Sequence, residues 1–138
     1  MKFLQLKFIP QSADFGLLLL RVVAGLTLLL NHGWGKVMNF NSYSEKFLDF
    51  LGLGSTVSLS LMIFAEVVCA ALITVGWLTR FAALVIAIGM GVAFFVGHGM
   101  KLSNPGSGEL ALIYMVVAAT LFFSGPGKIS VDSKQGAA

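Results

Sequence analysis

Arg21, His32, Lys36, Glu66, His98 and Glu109 are ionisable residues set inside or at the ends of long apolar runs. An imidazole can donate or accept a proton near neutral pH. A carboxyl group shielded from water can hold or release one, and an ammonium group can bind an anion or an oxygen that is gaining charge. Gathered in one place, such groups could bind a polar headgroup and move protons, as at a quinone ring. Whether they act together depends on the elements that carry them.

The composition sets the solvent of those elements. Of 138 residues, 57% are hydrophobic and 11% charged, against roughly 45–50% and 25% in an ordinary soluble domain. Mean hydropathy is +0.92. A disordered chain is excluded, and a small soluble globule has more surface than these charges can cover. The net charge of +3 comes from basic residues scattered among apolar runs. That is a membrane-protein pattern rather than a nucleic-acid patch, and no nucleic-acid partner is expected.

Four apolar runs dominate: Phe15 to Leu30, broken by Arg21; about Val57 to Trp77, with Glu66 in its middle; and the uncharged Phe81 to Val96 and Leu110 to Phe123. A span needs about 20 mostly apolar residues. The second and third runs reach that length with their flanks, and the first and fourth are shorter. Too little polar sequence remains to cover any of them, so all four read as spans, over about 15–32, 56–77, 80–98 and 109–124. The expected fold is a single-domain, all-α, four-helix transmembrane bundle in a lipid bilayer. Asp14 and Arg21 in the first run, and the lack of a small-x-small site after it, argue for an uncleaved first helix rather than a signal peptide.

Between the first two spans, Ser42 and Glu45 have capping-box spacing, and Tyr43, Phe47, Phe50 and Leu51 follow on one helical face. This predicts a short amphipathic helix on the membrane surface, ended by Gly52. With an even number of spans both termini share a side. That side holds Lys2, Lys7, Arg80, Lys128 and Lys134, against Lys36, Lys46 and Lys101 opposite. The bias predicts cytoplasmic termini. In the third span Gly89, Ala93 and Gly97, and also Ala83, Ala87 and Gly91, repeat at four-residue spacing, which makes that helix the expected centre of packing.

Charges at membrane depth need partners. Counted from the cytoplasmic helix ends, Arg21 and Glu66 differ in depth by about 5 Å, so an Arg21–Glu66 ion pair is expected, as a structural clasp in the plainer reading. Arg21 and His32 are eleven residues apart and share a helical face. Arg80 and His98 are eighteen apart and share one if their helix is straight. Asn31, His32, Lys36, His98 and Glu109 then meet at the outer mouth of the bundle above Glu66, with Arg80 and Asp132 on the cytoplasmic side. The plainer alternative is that these are solvated helix ends. A metal on His32, His98 and Glu109 would draw on three separate segments without a local motif, and two lone histidines do not make a haem site, so no metal is expected. Cys69 has no partner thiol and reads as a packing residue.

Leu20-Arg21, His32-Gly33, Lys36, Ala65-Glu66, Gly76-Trp77-Leu78-Thr79-Arg80, His98, Glu109, Ser124-Gly125-Pro126-Gly127 and Asp132 together resemble the DoxX family of small four-helix bacterial membrane proteins, from about Leu18 to Asp132. The resemblance implies a bundle in the bacterial inner membrane. It also implies a link to redox systems, since some relatives are named as subunits of thiosulfate:quinone oxidoreductase or quinol oxidase systems. The expected function is a membrane subunit of a quinone-linked redox system. It would have no cofactor motif of its own, a quinone or small polar ligand at the outer mouth, and a partner protein as electron source. The alternative is a non-enzymatic assembly or scaffold protein that uses the polar core to seat another helix or a lipid. A small-solute transporter is the weakest reading, because half-helix breaks and repeat symmetry are missing. A homo-oligomer stays open.

Overall fold

The computed structural model describes Pro10–Gly136 together with Leu4 and Leu6; Lys2 and Lys7, which enter the charge bias, lie outside the described residues. All regular structure among the described residues is helical. Three helices are long and apolar enough to span a membrane: α1 (Ala13–Met38), α3 (Ser55–Val75) and α4 (Thr79–Gly97). The apolar α5 (Glu109–Ser124) is shorter and completes the four-helix bundle. Two short helices, α2 (Phe40–Ser44) and α6 (Val131–Lys134), lie outside it. The start of α1 and the segment after α5 meet at one end of the bundle, here the tail end. The α1–α3 and α4–α5 connections close the other, the loop end.

Local sequence sets the boundaries. The Ser12 side chain accepts from the Phe15 amide and starts α1. Gly76, at φ +75°, ends α3 with its amide bonded back to Leu72 O. The α1 helix runs past the expected stop at 32, so His32 and Lys36 project from a helix rather than from a loop. The connecting helix α2 is shorter than the expected amphipathic one and stops at Ser44. Beyond it, Leu51, Gly52 and Gly54 take left-handed conformations. Side chains also replace helical partners there: Phe50 N donates to Ser58 Oγ (3.0 Å) and Gly54 N to Asp49 Oδ1 (2.8 Å). The Tyr43, Phe47, Phe50 and Leu51 stripe therefore does not form one helical face.

Packing follows small residues. A Cβ on Gly33 would come within 2.8 Å of Glu66 O, and one on Gly25 would come within 2.7 Å of Ala70 O. These two glycines let α1 press against α3, as close helix contacts in lipid require. The α4 helix touches both neighbours, with Gly89 against Ala65 of α3 and Gly91 against Met115 of α5. Three helices each contain one π-helical turn, at Leu29–Gly33, Phe64–Cys69 and Ala93–Gly97.

Candidate functional site

The α1–α3 contacts fix an antiparallel register: Gly33 lies opposite Glu66, Gly25 opposite Ala70 and Thr74, and Arg21 opposite Gly76. Arg21 is therefore ten residues from Glu66 along α3, about 15 Å at the helical rise. The expected Arg21–Glu66 pair does not form. The depth estimate took both helices to begin at one level, whereas α1 is displaced toward the tail end. Helical side chains also lean toward the helix N-terminus, which carries Arg21 away from Glu66.

The tail end is closed by the chain itself. Arg21 is fully buried and donates from Nη2 to the Ile129 carbonyl, with the Asp132 carboxylate close enough to attract it. Its Nε and Nη1, and Thr79 Oγ1, have no hydrogen-bond partner among the described residues. A Cβ on Gly76 would overlap the guanidinium, so the missing side chain is what admits Arg21. Asp132 is buried and accepts from Leu78 N (2.8 Å) and Thr79 N (2.9 Å) at the start of α4. Its own amide donates to Gly76 O (2.9 Å), and Lys128 N donates to Asp14 Oδ1 (2.9 Å). Asp132 thus caps α4 from a distant segment. Arg80 lies outside this knot. It is exposed, with Nε donating to Phe122 O (3.0 Å) and its guanidinium 5.3 Å from the Phe122 ring centroid.

The loop end is built differently. Lys36 Nζ leans back along α1 and donates to Glu66 Oε2 (2.6 Å) and to the His32 carbonyl (3.3 Å). Lys36 is therefore the partner of the buried Glu66. His32 stands close enough to act on that carboxylate. Its ring meets the Tyr114 ring edge-on, at 5.6 Å between centroids. Tyr114 OH donates to Thr27 Oγ1 (2.9 Å), which ties α5 to α1. His32, Lys36, Glu66, His98 and Tyr114 all line one cavity of about 750 Å³ between α1, α3, α4 and α5, and Phe47, Leu48 and Phe50 cover part of it.

Asn31 and Glu109 were expected in the same cluster. Both are exposed, and neither lines the cavity. Glu109 instead occupies the first turn of α5, where an acid is favoured by the helix dipole. His98 does reach the cavity, but from outside the helix, past the π-helical turn, with Nδ1 3.1 Å from Gly106 O. The straight-helix face proposed for Arg80 and His98 fails for that reason. Arg80 and Gly91 face α5, whereas His98 faces the cavity. The sequence reading missed Tyr114. Its signal was available, because a phenol in an otherwise uncharged apolar run calls for a polar partner.

The cavity can do what its groups allow. It offers apolar walls to a greasy body, an ammonium group and a carboxylate already paired, and two imidazoles that can exchange protons. Among the described residues no three His, Cys, Asp or Glu side chains gather as a metal-holding group.

No solved structure matches the chain. A protein of Haemophilus influenzae, described as an uncharacterized protein, is 29% identical over 123 residues, which covers 83% of this chain and 87% of that protein. The model of the DoxX family matches residues 16–99. That stretch holds all but the first turn of α1 together with α3 and α4, all three π-helical turns, and Arg21, His32, Lys36, Glu66 and His98. This multi-pass membrane protein belongs to the DoxX family.

Proposed function

We propose that the chain is a quinone-binding membrane subunit of a redox system, resident in the bacterial inner membrane with both termini cytoplasmic. One observation carries the reading. A cavity of about 750 Å³ has largely apolar walls, and His32, Lys36, Glu66 and His98 reach it from three segments. A quinone ring needs an apolar slot, polar groups at its oxygens and a source of protons when it is reduced. A partner redox protein supplies the two electrons, and the imidazoles pass the two protons that turn quinone into quinol. Lys36 supplies positive charge near the oxygen that gains electron density.

The test is titration of a quinone analogue against the purified wild type, His32→Ala, His98→Ala and the double variant Lys36→Met/Glu66→Leu, with thermal stability recorded alongside. Each variant is expected to bind about tenfold more weakly or worse, equivalent to roughly 1.4 kcal/mol. Equal affinity in all of them, or no binding by the wild type, refutes the quinone site.

A second observation supports the scaffold reading. A groove of about 480 Å³ along α1 and α5 is lined by Gly16, Ala24, Thr27 and apolar side chains. Small residues of this kind admit a neighbouring helix. Recovery of a stoichiometric protein partner that is lost on Gly16→Leu, with quinone binding absent, would favour it.

A further inference from the structure

We infer that the ligand reaches the cavity sideways from the lipid, through the seam between the loop-end halves of α3 and α4, with its head against Lys36 and Glu66 and an apolar chain left in the seam. The inference rests on the ligand reading above, but the route can be tested without any ligand.

Two features point to the seam. The first is where the helices touch. At the level of Glu66, α3 and α4 meet closely, with the Cβ position of Gly89 3.4 Å from Ala65 Cβ. From there toward the loop end the cavity separates them. There its walls include Leu61 and Phe64 on α3 and Val92, Ala93 and Gly97 on α4, and Leu61, Phe64 and Gly97 are also exposed on the outer surface, Leu61 at 51%. Exposed wall residues on both helices, where the helices no longer touch, mark an opening between them. At span depth that opening gives onto lipid rather than water.

The second feature is polarity. His32 and Lys36 stand on α1, and Glu66 turns from α3 to meet them. On the α4 side of the seam the wall residues Val92, Ala93 and Gly97 carry no polar side chain. The polar groups therefore sit at the back and the greasy surface at the opening. That matches a molecule with a polar ring and a long hydrocarbon tail. The water-facing side is narrowed by Phe47 and Phe50, with Phe50 N bonded to Ser58 Oγ, and by the loop that holds His98 at Gly106.

The test uses Ala111→Cys in a Cys69→Ala background, in lipid nanodiscs that leave both bilayer faces open to water. Ala111 is a buried residue of the cavity wall on α5. A long-chain alkyl maleimide, which partitions into lipid, and a sulfonated maleimide, which does not, are compared. Ser103→Cys on the exposed loop serves as the aqueous control. The alkyl reagent is expected to label the Ala111→Cys thiol readily. The sulfonated one should label it at least about tenfold more slowly than the control. Adding Val92→Trp or Leu61→Trp, on opposite sides of the seam, should slow the alkyl reagent about tenfold, and Leu48→Ala should not restore it. Sulfonated labelling as fast as the control overturns the lateral route. So does alkyl labelling that neither tryptophan slows. If labelling follows the expected pattern while no quinone binds, the route stands and the quinone reading falls.

Discussion

The two ends of this bundle hold the same kinds of buried charge and resolve them in opposite ways. At the tail end the acceptors and donors around Arg21 and Asp132 are mostly backbone: the Ile129 carbonyl, the Leu78 and Thr79 amides and the Gly76 carbonyl. At the loop end Lys36 and Glu66 satisfy each other while standing in the wall of a cavity. Charges met by backbone tie segments together and leave no room for another molecule. Charges met by side chains beside open space can exchange partners when a ligand arrives. An ionisable residue at membrane depth is thus not one signal but two, and the kind of partner separates them.

Substitutions at the two ends should therefore fail differently. The largest loss is expected from Gly76→Val, which puts a branched side chain at positive φ and into the Arg21 guanidinium. Strain and overpacking together amount to about 2–6 kcal/mol, seen as a collapsed melting transition in detergent. Next comes Lys36→Met alone, which strands Glu66 and should cost about 3–5 kcal/mol, while Lys36→Met/Glu66→Leu should be close to neutral. A double-mutant cycle on melting measures this. The same cycle on Arg21 and Glu66 should be additive within about 0.5 kcal/mol. Coupling between Arg21 and Glu66 would contradict the observed register. Asp132→Ala removes two amide caps of α4 and should cost about 1–3 kcal/mol. The smallest effects belong to Asn31→Ala and Glu109→Gln, each within about 0.5 kcal/mol in stability and without effect on ligand binding. A binding loss at either would extend the site beyond the cavity.

Much of this was legible in the sequence. The apolar runs disclosed the spans, and the charged residues and histidines in and beside them disclosed all of the cavity's ionisable groups except Tyr114. The pairing was not legible. Spacing along one helix gives the face of a residue, but the offset between two helices comes from where their small residues let them touch, here Gly25 and Gly33 against α3. Helical arithmetic also takes each helix as regular. The turn at Ala93–Gly97 and the loop position of His98 break that rule in α4, and nothing in the residue types of those turns announces them. Asn31 was drawn in as the sequence neighbour of His32, although a helix sends neighbours to different faces, and Glu109 because its helix begins at the same end of the bundle.

The division of labour between the ends is tested most directly by measuring melting temperature and quinone-analogue affinity on two variants side by side, Asp132→Ala and Lys36→Met/Glu66→Leu. The first should melt lower and bind as the wild type does. The second should melt near the wild type and bind about tenfold more weakly or worse. Binding lost in the first, or kept in the second, would contradict the assignment of the tail end to structure and the loop end to the ligand.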